Sequence, residues 1–308
     1  MGSEMCIRDS VYKEKGFTSH DVVAKLRGIF HQKKIGHTGT LDPDAVGVLP
    51  VCLGKATKVC ELLTDKDKTY HAVVRLGLST DTQDMSGKVL EEKEVEITEE
   101  QLRKTAASFV GEIEQIPPMY SAIKVGGKRL YELARSGKEV ERTPRKIVIH
   151  SILIEKIDLE NHIFSMTVEC QKGTYIRTLC HDIGKKLGCG AAMQELTRTK
   201  VSRFQLEQAL TLSEIEDKVK AEDYSFVLPI DTVFSLLPSK TVADGEGRKR
   251  LDNGNFLRER DFIVKQETCG QDFTKVKTGK NYRIYDEQGH FRAIYADTGR
   301  EYKPVKMF

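Results

Sequence analysis

Asp42 lies in the run Ile35-Gly36-His37-Thr38-Gly39-Thr40-Leu41-Asp42-Pro43, an order of small, polar and charged residues that packing alone does not require. Glycines let the backbone approach a ligand, proline stiffens the chain beside the carboxylate, and His37 adds an imidazole upstream. The run reads as a site on a loop with Asp42 as its nucleophile. A carboxylate so placed can act as general base, metal ligand or covalent nucleophile at an electrophilic sugar or base carbon. The surrounding sequence offers no metal cage, so no metal is expected. A buried carboxylate needs a cation or donors to stay ionised, and Arg177 is the distant partner expected, because guanidinium matches carboxylate bidentately.

Competing motifs fall away. Gly47 to Thr57 has a phosphate-loop flavour, but its first glycine stands too far upstream and Ala56 replaces the needed hydroxyl. No Gly-x-Ser-x-Gly elbow, His-Glu-x-x-His pair or dinucleotide fingerprint occurs. His181-Asp182 lies on an apolar-striped helix without a third ligand close in the chain and reads as a helix-surface histidine.

The elements that must position these residues are legible from periodicity. Thr18-Ser19 with Asp21 reads as a helix start, followed by Val22, Leu26, Ile29 and Phe30 at helical spacing, which delivers the chain to the glycine-rich run. Tyr70 to Leu76 reads as a strand and Gly77 to Gly87 as a polar loop. Ile147 to Leu159 and Ile163 to Cys170 are β-type runs. Ile176, Leu179, Ile183 and Leu187 form a helical stripe closed by Gly188, which puts Tyr175 and Arg177 at a strand-to-helix junction, the second half of the site. Strands and helices mix without regular βαβ alternation, so the fold class is α+β on a mixed, largely antiparallel sheet.

With 308 residues, two domains are expected. The division runs 11–234 for the site-bearing domain and 239–308 for a small β-rich one, with Leu228 to Pro238 as linker. In the second domain, Lys240 to Val242, Phe262 to Val264, Tyr282 to Tyr285 and Phe291 to Tyr295 are strand candidates, with a turn at Glu287-Gln-Gly289. Residues 1–10 lack periodicity, read as a non-native leader, and are set aside. No apolar stretch approaches the roughly 20 residues needed to span a bilayer. The seven cysteines (Cys6, Cys52, Cys60, Cys170, Cys180, Cys189, Cys269) are scattered without a Cys-x-x-Cys pair and suit reduced thiols, hence a cytoplasmic protein. Between Lys124 and Lys146, eight basic residues face three glutamates, a balance of +5, with Tyr131 and Gly126-Gly127 among them. Such a stretch can follow a phosphate backbone.

Five segments in order extend the pattern. Gly36 to Lys58 is similar to the signature of the TruB family of tRNA pseudouridine synthases, Lys13-Glu-Lys-Gly-Phe-Thr-Ser19 resembles its N-terminal motif, and Tyr70 with Leu76 to Asp84 its tyrosine motif. Pro117 to Lys124 with Leu130 to Gly137 resembles its RNA-clamping insertion (117–145), and Lys172-Gly-Thr-Tyr-Ile-Arg-Thr-Leu179 its arginine motif. Departures are Glu14 for the usual proline, Gln171 for serine, and Arg8-Asp9-Ser10 where a short apolar strand is usual.

The resemblance implies isomerisation of uridine 55 in the tRNA TΨC loop, without a cofactor, by a monomer whose partner is tRNA. It assigns Asp42 as nucleophile, Tyr70 as the residue stacking on the flipped base, and Arg177 as the partner of Asp42. His37 would fill space the base vacates, Tyr175 and Leu196 would line the uridine pocket, and Lys13 belongs to the substrate-binding set. Lys124, Lys128, Arg129, Arg142 and Arg145 would contact RNA. The C-terminal domain resembles a PUA-type RNA-binding domain.

Overall fold

The computed structural model describes residues 4–7, 10–60, 64, 67–263 and 280–308. Its main sheet is built around the strand Lys68–Leu76, in which every second residue is buried. Ile163–Cys170 and Ala191–Val201 flank it, both antiparallel. Arg145–Asp158 and Gly111–Gln115 continue the sheet on one side, Val46–Leu49 and Val11–Lys13 on the other, and the short strand Phe204–Gln205 pairs with Ala191–Val201. Ala191–Val201 runs parallel to Val46–Leu49, so the sheet is mixed and mostly antiparallel, as expected. Leu179 and Ile183 of the helix Ile176–Leu187, and Leu102 of Glu99–Ala107, close one face over Val74, Met166 and Val168. Full burial of each such side chain contributes about 1.5–3 kcal/mol.

A second sheet has the order Val227–Pro229, Glu4–Ile7, Val51–Gly54, Ile35–His37. The helices Ser19–Ile29 and Leu212–Lys220 pack beside it through Val22, Leu26, Leu212 and Ile215. Thr18 caps the first helix as read from sequence: its N–H donates to Asp21 Oδ2 at 2.8 Å, and the Asp21 N–H returns to Thr18 Oγ1 at 3.1 Å. Only Pro50 separates Val46–Leu49 from Val51–Gly54, so the chain changes sheet there. Residues 38–45 therefore bridge the two sheets, leaving one at His37 and entering the other at Val46.

Several segments add to or differ from their sequence reading. Glu4–Ile7, in the stretch set aside, is a strand between Val51–Gly54 and Val227–Pro229, so a strand precedes Val11, earlier than Arg8-Asp9-Ser10. Leu228 to Pro238, read as the linker, carries regular structure. It starts in the strand Val227–Pro229 and continues as the 3-10 turn Ile230–Phe234, whose Ile230 is buried with Cys52 and Ala56 on one side and Phe291 and Ile294 on the other. Within the polar loop, Leu78–Thr80 pairs with Val89–Glu92. The C-terminal domain has the strand order Ser239–Thr241, Asn281–Tyr285, Phe291–Asp297, Tyr302–Met307. Phe262 contributes only an isolated bridge to Val242, and Val264 lies outside the described residues. Tyr302–Met307 escapes sequence reading because its Lys-Pro-Val-Lys stretch lies at an edge, where proline costs no ladder bond and no alternation is needed.

Candidate active site

Three buried side chains fix the loop that carries Asp42. Ser19, in the first turn of its helix, accepts the Leu41 N–H at 3.0 Å. Lys13 is fully buried, and its Nζ donates to the carbonyls of Ala45 (2.6 Å), Pro43 (2.9 Å) and Glu14 (3.0 Å). Arg198 donates to Gly39 O at 3.1 Å and Thr40 O at 3.4 Å. The carboxylate of Asp42 is thus presented by a backbone tied on both sides. It meets Arg177 side-on: Nε lies 3.1 Å from Oδ2 and Nη2 3.3 Å from Oδ1. The arginine side chain is 7 % exposed and the aspartate side chain 40 %, so one partner is walled in and the other is open to solvent. Burial pushes the Asp42 carboxyl up, and the guanidinium opposes that shift.

Arg177 is itself held in place. Its Nη2 donates to Tyr120 O at 2.9 Å, and its Nη1 to Thr82 O at 3.2 Å and Asp84 Oδ2 at 3.4 Å. Asp84 Oδ1 accepts from Thr82 Oγ1, Ser86 Oγ and Ser86 N–H, so this second carboxylate is anchored in the polar loop. Gln115, 2 % exposed, clasps the residue at the start of the arginine helix: its Oε1 accepts the Tyr175 N–H at 2.8 Å and its Nε2 donates to Tyr175 O at 3.0 Å.

Tyr70 projects from the central strand into a buried cluster with Leu41, Ala45 and Leu196. Burial raises its phenol and Arg198 beside it acts in the opposite direction. Tyr175 is half-buried, with its phenol raised by burial and lowered by Ser121. His37 accepts the Gly39 N–H through Nδ1 at 3.3 Å and meets His20 edge-to-face, ring centroids 5.6 Å apart. Burial first, then the charges of His20 and Arg198, lower its imidazole. A paired carboxylate and a phenol thus stand near one another, with a neutral imidazole further back on the same loop. That combination suits a flat uncharged base and a nucleophile.

The pattern described as "TruB family pseudouridylate synthase (N terminal domain)" matches residues 27–176, and "tRNA pseudouridylate synthase B C-terminal domain" matches 177–235. A protein named tRNA pseudouridine synthase B from Lachnoclostridium phytofermentans is 52 % identical, over 97 % of this chain and 98 % of its own. The chain belongs to the TruB family. A Bacillus cereus tRNA pseudouridine synthase B is 48 % identical over 80 % of this chain and 83 % of that protein. Among solved structures, a chain of a Cbf5-Nop10-Gar1 complex matches with TM-score 0.72 and 25 % identity, over 99 % of this chain and 85 % of that one. An H/ACA RNP bound to a substrate RNA containing 2'-deoxyuridine matches with TM-score 0.71 and 24 % identity, over 99 % and 85 %.

Within this TruB chain the segment 117–145 reaches the carboxylate pair through Tyr120. Lys124–Val125 and Lys128–Arg129 form a hairpin whose turn needs two left-handed residues, supplied by Gly126 (φ 58°) and Gly127 (φ 84°). The helix Leu130–Arg135 follows. Lys124, Lys128, Arg129 and Arg145 are exposed, whereas Arg142 is half-buried and donates to Pro117 O at 3.2 Å, closing the base of the insertion. Because Tyr120 O accepts from Arg177, that base is also tied to the carboxylate pair.

Sequence reading missed Asp84, Arg198 and Gln115. Asp84 stood in a loop with several polar residues, and the other two stood in strands, where nothing local marks a polar residue as buried. His181, read as a helix-surface histidine, is half-buried, and among the described residues its shielded Nδ1 has no hydrogen-bond partner.

Lys13 yields a stability test. Burial pulls its ammonium down from 10.5 to about 8. Between those values the unfolded chain binds more protons, so the penalty is complete below about pH 8 and disappears as pH rises to 10.5. Lys13→Met removes the titration but strands three carbonyls. The difference in thermal midpoint between variant and wild type is therefore expected to move against the variant by several degrees from pH 7 to pH 10. A difference independent of pH would count against a buried ammonium.

Proposed function

We propose that the protein isomerises the uridine at position 55 of tRNA, in the TΨC loop, to pseudouridine, with Asp42 as nucleophile. The observation that carries this reading is the Asp42–Arg177 pair, with its partly exposed aspartate near Tyr70, in a chain of the TruB family. The reaction breaks the N-glycosidic bond and rejoins the same base to C1′ through C5. Nothing is added or oxidised, so the reading calls for no cofactor. The base must first leave its stack, at a cost of a few kcal/mol that is least for a loop nucleotide.

In this reading Asp42 attacks the ribose C1′ or the base, or assists departure to a glycal. Tyr70 stacks on the extruded uracil and exchanges a proton at the ribose, Leu196 and Tyr175 wall the pocket, and His37 occupies the space the base leaves. Lys13 supports the loop from beneath. The domain at 239–308 serves as a PUA-like RNA-binding module, and the enzyme acts in the cytoplasm as a monomer. The insertion supplies the protein's own RNA contacts, which favours a stand-alone enzyme over a guide-RNA-dependent one. The intact Asp42, Tyr70 and Arg177 favour catalysis over tRNA binding alone.

Incubation with an unmodified tRNA transcript, followed by pseudouridine mapping, is expected to show one modified position, in the TΨC loop. No modification there would remove the reading. Lys124→Gln and Lys128→Gln are expected to weaken tRNA binding and to lower the salt slope of the affinity by about 0.7–0.9 for each phosphate left without its lysine. An unchanged slope in filter-binding titrations would take these lysines off the RNA path.

A further inference from the structure

The strand Ala191–Val201 lies between Lys68–Leu76 and Val46–Leu49, and at Arg198 both neighbours converge: it pairs with Tyr70 on one side and with Gly47 on the other. The approach to Gly47 is so close that a Cβ there would meet Arg198 O at 2.3 Å. The Arg198 side chain is among the largest of the fully buried ones, at 1 % exposure. A guanidinium so placed has lost its water, yet among the described residues no carboxylate lies within ion-pair distance of it. Its N–H groups go instead to Val48 O (Nε, 2.8 Å), Gly39 O (Nη2, 3.1 Å) and Thr40 O (Nη1, 3.4 Å), and it stands opposite Tyr70 in the strand register, within electrostatic reach of the phenol. A buried unpaired cation is expensive, and a structural clamp for three carbonyls does not require one.

The chemistry of the two groups sets the polarity of their contact. Guanidinium has donors and no acceptor, so towards Tyr70 it donates and Oη accepts. The phenolic hydrogen then points elsewhere, and the positive charge favours the anionic oxygen. We propose that Arg198 is a positioning residue for Tyr70, fixing its hydroxyl as an acceptor and stabilising the oxygen when it is deprotonated, while the same guanidinium holds the Gly39-Thr40 end of the Asp42 loop. The inference rests on the reading of the protein as a pseudouridine synthase in which Tyr70 exchanges a proton with substrate. Arg198 eases deprotonation of Tyr70, whereas Asp42 and Cys170 oppose it. On its other sides Arg198 faces Asp42, Lys13 and His37.

The test is a double-mutant cycle read as single-turnover rates on an unmodified tRNA transcript across pH, with tRNA affinity and thermal midpoint measured for each variant. Arg198→Met is expected to slow the rate about 10²-fold and Arg198→Lys about tenfold, the range of a positioned proton-transfer group. Both are expected to move the rising limb of the rate–pH profile to higher pH. In a Tyr70→Phe background, adding either change is expected to cost clearly less than it does in wild type, because only its hold on the Asp42 loop is then left to lose. Equal losses in both backgrounds, or an unmoved pH limb, would overturn the proposal. If Arg198→Met does not fold, Arg198→Lys carries both readouts, and failure of both variants to fold would make Arg198 a residue of the fold alone and overturn the proposal as well. An inactive wild type would sink the functional reading itself, whereas an active wild type with independent losses would sink only the role of Arg198.

Discussion

Asp42→Asn is expected to reduce pseudouridine formation by about 10³-fold or more while leaving the protein folded and still able to bind tRNA. The amide keeps the shape of the side chain and its loop, which Ser19, Lys13 and Arg198 hold through backbone groups rather than through the carboxylate. What it loses is the anion. Burial raises the Asp42 carboxyl in the folded state, so the native protein binds its proton more readily than the unfolded chain does. Stability from this group therefore falls as pH rises through the interval between the ordinary and the raised value, and at neutral pH the ionised carboxylate is a cost. Arg177 keeps Asp84, Thr82 O and Tyr120 O when the charge at Asp42 is removed. The thermal midpoint of the variant at pH 7 is thus expected to equal or exceed that of wild type, as at other sites where function opposes stability. Single-turnover assays and thermal unfolding check the two halves separately. Full turnover by the variant would end the nucleophile assignment, and a collapsed midpoint would mean the carboxylate is structural.

Arg177→Met is expected to lower the rate about 10²- to 10³-fold at neutral pH, and part of that loss is expected to return as the pH is raised. The guanidinium is what opposes the upward push of burial on Asp42. Without it the carboxylate is protonated over a wider range, so the acid limb of the rate–pH profile moves up. Arg177→Lys is expected to recover little, since an ammonium cannot span both carboxylate oxygens and also reach Asp84 and Tyr120. The variant also leaves Asp84 without its cation and frees the base of the insertion, so weaker tRNA binding should accompany the loss. An acid limb that does not move between pH 5 and 9 would show that Arg177 does not govern the ionisation of Asp42. The contrast with Asp42→Asn, where alkaline pH restores nothing, separates tuning from attack.

Much of the scaffold around the site was legible in local sequence. The Thr18–Asp21 capping box, the Gly188 stop at φ 87° and the stripe Ile176, Leu179, Ile183 are local signals, set by capping chemistry and a 3.6-residue period. The long strands Lys68–Leu76 and Ile163–Cys170 likewise follow from β-type residues along a buried element. Glu4–Ile7 and Val227–Pro229 were not legible, because each is too short for a period and exists only because Val51–Gly54 and its neighbours leave an edge to pair with.

The same division holds in the site. Sequence alone marked Asp42, through the glycines, proline and histidine around it, since a loop that must approach a ligand restricts which residues can stand there. It also placed Arg177 at a junction, and the family resemblance attached uridine chemistry to both. The tertiary structure decided the partners. Asp42 and Arg177 are 135 positions apart, Arg177 and Asp84 are 93 apart, and Arg198 reaches a carbonyl 159 positions away. Such contacts depend on which strands lie side by side, and backbone pairing and core burial across the whole chain set that order. Residue type and short-range period carry no record of it.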